Sequence, residues 1–150
     1  MTAQEMWAAY SKGIGASALG EGYDAWAFCG GGEAGDRLAN LVLDGVKTAT
    51  ASAYRLYGME GEPLPKVGEH SVVLFDDGSA ACIIRTTKVS VAAFRNVDAR
   101  HAWLEGEGDR SLSYWRRVHW EFFCDEFDAN GLRFCEDEPI VLEEFEVVYR

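Results

Sequence analysis

The strongest constraint on the fold is one short hairpin. His70-Ser71-Val72-Val73-Leu74-Phe75 and Ala80 to Val91 are two apolar, β-branched runs separated only by Asp76-Asp77-Gly78-Ser79. Asp-Gly at such a junction favours a tight turn between antiparallel strands. The chain must therefore build around an antiparallel sheet. The second strand carries Ile83, Ile84, Val89 and Val91, and its Cys82 reads as a small core residue. With 150 residues and 48% hydrophobic content, one domain can bury a sizeable core.

The rest of the chain supplies helices and further strands. The spacing predicts a first helix over Gln4–Tyr10, then a loop through Gly13, Gly15, Gly20 and Gly22. Tyr23–Phe28 alternates and reads as a short strand or extended segment, broken by Gly30-Gly31-Gly32. That triplet lacks the G-x-G-x-x-G spacing of a nucleotide loop. A second helix covers about Ala34–Leu43, with Leu38, Leu41 and Val42 inward. Asn96-Val97-Asp98 precedes a short helix to Leu104. Ser111 caps a long helix to about Asp128, whose apolar face is read as Leu112, Trp115, Val118, Phe122 and Phe123. Ile140–Leu142 and Phe145–Tyr149 close the chain as strands. This order suggests a small mixed barrel rather than a doubly wound sheet.

Charge narrows the partners. The net charge is −11, which argues against general binding to a polyanion. It is unevenly placed: residues 47–120 carry ten Lys and Arg against nine acids, while residues 121–150 carry ten acids against Arg133 and Arg150. Local contact with a phosphate through the middle of the chain stays open. No run of 18 apolar residues is present, so no membrane partner is expected. The N-terminus lacks a basic region followed by an apolar run, so a cytoplasmic location is expected. Cys29, Cys82, Cys124 and Cys135 form no C-x-x-C pair, and His70, His101 and His119 have no H-x-x-x-H spacing. No metal or other cofactor is expected.

Two polar clusters flank glycines, where backbone can approach a ligand. The first is Lys47, Thr48, Thr50 and Ser52, where Gly45 ends a helix and a strand over Lys47–Ser52 begins. The second is Glu105, Glu107, Asp109 and Arg110. Brought together, they suit acyl transfer. Lys47, its pKa lowered by burial, takes a proton from a hydroxyl; Thr50 attacks a carbonyl; Glu107 passes the proton to a leaving amine. The alternative is structural: an ordinary edge strand and a solvated turn with its cap. Tyr54 and Tyr57 can stack on a base or simply pack, and Arg116 and Arg117 can contact nucleic acid or line an outer helix face.

Gly45-Val46-Lys47-Thr48-Ala49-Thr50 resembles the G-x-K-x-x-T signature of the ASCH (activating signal cointegrator homology) domain. Glu62–Gly68, Cys82–Thr87 and Glu105–Trp115 resemble, in the same order, blocks of a bacterial single-domain branch of that family, over about residues 35–149. The resemblance implies an α+β fold of PUA-like type, a small mixed β-barrel surrounded by helices, in one domain over 1–150 with 1–34 as an N-terminal extension. It also implies a cleft for a modified nucleoside or RNA, with no DNA partner expected. Some members are amidohydrolases that remove an acyl group from the exocyclic amine of cytidine. On that pattern Lys47, Thr50 and Glu107 are catalytic, with Glu105 next in line for the acid. Thr48, Ser52, Arg55, Arg85, Glu105, Asp109, Arg110 and Tyr114 are expected to line the substrate. Other members are described as RNA-binding or RNA-cleaving, which is the alternative function. The family pattern often continues T-x-R; here Ser52 stands at the arginine position, so Arg55, Arg85 or Arg110 is expected to take over its contact.

Overall fold

A computed structural model describes all 150 residues. Helix α1 (Ala3–Ser11) starts where Thr2 accepts from Glu5 N and the Glu5 carboxylate accepts from Thr2 N, a reciprocal cap. A short helix, α2 (Ala16–Leu19), forms inside the glycine-containing segment that the sequence leaves as a loop. Strand β1 (Tyr23–Trp26) and α3 (Gly32–Leu43) follow. Strand β2 spans Ala49–Ala53, so the expected strand begins two residues later than Lys47. Helix α4 (Tyr54–Glu60) follows directly. The hairpin is β3 (His70–Leu74) and β4 (Ala80–Ala93). Helices α5 (Ala99–Glu105) and α6 (Leu112–Ala129) precede a single last strand, β5 (Pro139–Tyr149).

The strands form one mixed sheet in the order β1-β3-β4-β5-β2. Only β1 and β3 are parallel; the other neighbours run antiparallel. Helices cover both faces. Ala51, Ala53, Ile140 and Leu142 pack with Phe94, Trp115, Phe123 and Phe127 beneath α5 and α6. On the opposite face Val73, Cys82, Ile84 and Phe145 meet Phe28 and the α3 residues Ala39 and Val42. Met6 and Tyr10 of α1 cover Val72 and Ile83. The buried stripe of α6 is Trp115, His119, Phe123 and Phe127; Trp115 and Phe123 lie on it as expected, whereas Phe122 stays 40% exposed. Steps of four residues keep that stripe on one ridge, and a histidine lies within it.

The hairpin tip also fixes α3. Asp76 Oδ1 accepts from Gly32 N at 2.6 Å, and Asp76 N donates to Asp36 at 2.7 Å. The helix N-terminus is thus satisfied by a residue 44 positions away.

The feature that positions the site is the meeting of residues 45–48 with residues 104–110. Thr48 N donates to the Leu104 carbonyl at 2.7 Å. Gly106, with φ of +72°, ends α5 in the left-handed conformation, and a Cβ there would lie 2.6 Å from the Val46 carbonyl oxygen. Only glycine permits both the turn and this approach. Gly106→Ala is expected to cost about 1–3 kcal/mol of stability, read as a lower midpoint in urea denaturation.

Candidate functional site

Lys47 is the centre of the site. The residue is 2% exposed and its ammonium lies 3.0 Å from Glu105 Oε1 and 3.4 Å from Glu107 Oε2. The Phe28 ring, from the other side of the sheet edge, lies 5.3 Å from Nζ. An ammonium taken out of water needs such partners, because the cost of desolvating it is several kcal/mol.

Glu105 is held from all sides. Oε1 accepts from Lys47 and faces His119 Nε2 at 3.5 Å. Oε2 accepts from Trp115 Nε1 at 2.6 Å and His101 Nε2 at 2.7 Å. Burial alone would raise its pKa; the Lys47 charge and the histidine hydrogen bonds outweigh burial and hold it well below the usual carboxylate range. Glu107 differs. Its side chain is 16% exposed, and it reaches Lys47 with one oxygen, 3.9 Å from His119 Nε2.

These carboxylates reverse the expectation for Lys47. Burial pushes its pKa down, but Glu105 and then Glu107 push it further up, so the net shift is upward. The two carboxylates thus favour the ammonium form of Lys47 over the neutral amine expected from burial alone. His119 follows the same logic: burial disfavours its charge, while Glu105 and Glu107 favour it more strongly, raising its pKa. Its Nδ1 donates to the Trp115 carbonyl at 2.9 Å, which leaves Nε2 toward the two carboxylates. The imidazole stacks on Trp115 at 4.2 Å.

Glu105, Glu107 and His119 also present one ligand atom each within 4.8 Å of one another, a set that could hold a metal ion. Lys47 already supplies the positive charge beside both carboxylates, and a metal would have to compete with it.

The remaining expected residues divide. Thr48 Oγ1 donates to the Leu104 carbonyl at 3.3 Å, tying the two segments. Arg110, at φ +64°, donates to the Trp103 and Val46 carbonyls, with its guanidinium 3.8 Å from the Trp103 ring centre. Asp109 accepts from Ser111 N at 2.9 Å, and Tyr114 lies under Gly108 and near Arg117. Thr50, half-buried, sits on β2 opposite Glu143. Ser52 shares a 2.7 Å hydrogen bond with Tyr57. Arg55 is paired with Glu138 at 2.6 Å, and Arg85 with Glu146 on the sheet surface, so neither joins the Lys47 cluster. A cavity of about 510 Å³ beside α4 is lined by Tyr54, Arg55, Tyr57, Leu64 and Glu138, and its Tyr57 reaches the β2 face that carries Thr50 and Ser52.

Sequence reasoning missed His101, Trp115 and His119. The legible signal was spacing: His101 and Glu105, and Trp115 and His119, are four apart on helices.

The family model of the ASCH domain matches residues 24–149. The chain belongs to the ASCH domain family. The ASCH domain of Lactobacillus crispatus JV V101 superposes with a TM-score of 0.92 at 36% identity, covering 98% of this chain and 94% of that one. Protein EF3133 of Enterococcus faecalis V583 gives 0.78 at 40% identity, covering 84% of this chain and 76% of that one. Hypothetical protein PH0355, at 14% identity and a TM-score of 0.52 over 84% of this chain and 98% of its own, shares the fold. Curated proteins give no match. The α+β, PUA-like class expected from the sequence is the observed one. No helix of this ASCH protein is long and apolar enough to cross a membrane.

The cage makes a pH prediction. A carboxylate whose folded pKa is depressed adds stability above its ordinary value, 4.5, and loses it as pH falls through the folded pKa. Wild-type stability should therefore drop on the acid side. Glu105→Gln should cost about 3–5 kcal/mol at neutral pH by removing the nearer, fully enclosed partner of Lys47 and flatten that acid limb, measured by urea denaturation from pH 3 to 8.

Proposed function

We propose that this protein is an amidohydrolase that removes an acyl group from the exocyclic amine of cytidine nucleosides. Family membership points to RNA-related chemistry in general. The observation that supports the finer reading is the Lys47 cage: a buried ammonium, fixed by two carboxylates, three residues before the Thr50 hydroxyl on an edge strand.

In this reading Thr50 Oγ1 attacks the acyl carbon. The Lys47 ammonium stabilises the negative charge that develops on the acyl oxygen, a kind of contribution worth roughly 100- to 1,000-fold in rate. Glu105, with its acceptor sites occupied, sets the position and charge of Lys47. Glu107, the more accessible carboxylate, carries a proton to the leaving amine. The cavity lined by Tyr54 and Tyr57 is within the size range of small-molecule sites.

Purified protein should release cytidine from N4-acetylcytidine, followed by chromatography. Thr50→Ala should abolish turnover and Lys47→Ala should lower kcat/KM about 100-fold or more. No turnover by the wild type at micromolar enzyme would rule out this substrate.

One observation favours a second reading, RNA binding or weak ribonuclease action. Trp103 is 56% exposed beside the site with Arg110 stacked on it, a basic–aromatic pair suited to a base. It predicts salt-dependent binding of a short single-stranded RNA, weakened by Trp103→Ala, in fluorescence anisotropy at two salt concentrations. Equal, salt-independent signals would remove it.

A further inference from the structure

Protonated Lys47 leaves Thr50 without a base, and the sheet offers another. Glu143 lies in β5 between Thr50 on β2 and Val89 on β4. Residues directly opposed across antiparallel strands project from the same face, with Cβ atoms roughly 5 Å apart. That spacing is within the reach of a glutamate side chain, although the two side chains are not hydrogen-bonded in this structure.

The surroundings of Glu143 are unlike those of the other carboxylates nearby. Glu105 and Glu107 are paired with Lys47, Glu138 with Arg55, and Glu144 with Arg100 and Lys88. Glu144, the next residue, projects to the opposite face with those two cations. Glu143 is half-buried on the Thr50 face and faces no cation. The ionisable group that acts on it is Glu69, ahead of β3; Tyr57 from α4, whose hydroxyl is bonded to Ser52, is near enough to feel the Glu143 charge. Val89 on β4 adds none. Burial, then repulsion from Glu69, raises the Glu143 pKa to about 7. A carboxylate with that value exchanges protons readily at neutral pH.

We propose that Glu143 is the general base that activates Thr50. Its carboxylate takes the Oγ1 proton as Oγ1 bonds to the acyl carbon. The bond from that carbon to the leaving nitrogen then breaks, and the nitrogen receives the proton taken by Glu143, delivered through Glu107, which leaves an acyl ester on Thr50 and Glu143 ionised again. Water next attacks the ester, Glu143 takes its proton, and Oγ1 is reprotonated as the acid departs. No further reactant is needed. This inference rests on the acyl-transfer reading above, yet it can be tested apart from the cytidine substrate.

The probe is p-nitrophenyl acetate, with nitrophenolate release followed from pH 5 to 9 and the rate in Thr50→Ala subtracted. Wild type should show a Thr50-dependent rate that rises with a midpoint near 7. Glu143→Gln, nearly isosteric and lacking the unpaired charge, should lower that rate about 100-fold and remove the pH dependence. Glu143→Asp should keep part of the rate, and Glu144→Gln, on the other face, all of it. A wild-type rate equal to that of Thr50→Ala, or a Glu143→Gln profile matching wild type, overturns the assignment. The expected ester results without N4-acetylcytidine turnover would retire that substrate and keep the base. Turnover of N4-acetylcytidine unchanged in Glu143→Gln would do the reverse.

Discussion

The buried pair of Lys47 and Glu105 is the interaction on which the rest of the site depends. Each charge would be costly in the interior alone. Together, with His101, His119 and Trp115 meeting the second carboxylate oxygen and the flanks of the first, they form a neutralised and fully bonded unit. That unit joins the approach to β2 to the end of α5 and the start of α6. The backbone bond from Thr48 to Leu104 and the close approach of Gly106 to Val46 serve the same junction. The catalytic reading and the integrity of the fold therefore rest on shared residues.

The junction divides labour between two carboxylates that look alike in the sequence. Glu105 is enclosed and held ionised; Glu107 reaches the same ammonium from a more open position. Their difference comes from the turn at Gly106, which sends one side chain inward along α5 and the other back over Lys47. A third carboxylate, Glu143, stands apart with no cation and a raised pKa. Separation of environments is what lets chemically identical groups take different roles.

Much of the fold was legible. The Asp-Gly hairpin, the caps at Asp98 and Ser111 and the long helix after Ser111 are local signals, and local hydrogen bonding decides them. The start of β2 was placed two residues early because a period of two among hydroxyls does not say where pairing with β5 begins. On α6 the sequence places Trp115 and Phe123 inward correctly but offers Phe122 where the buried stripe takes His119 and Phe127, because a histidine interrupts an otherwise aromatic pattern. The charge state of Lys47 was misread for a related reason: burial could be anticipated from the sequence, but the two carboxylates that outweigh it could not.

By itself the sequence determined the class of fold, the family and the two segments that matter, because caps, turns, periodicity and motif order are all encoded over short spans. Tertiary structure alone decided which carboxylate is enclosed, that His101, His119 and Trp115 converge on it, that Arg55 and Arg85 are tied up elsewhere, and that Glu143 faces Thr50. Those outcomes depend on distances between residues tens of positions apart, and electrostatics in a buried site is set by such distances rather than by spacing along the chain.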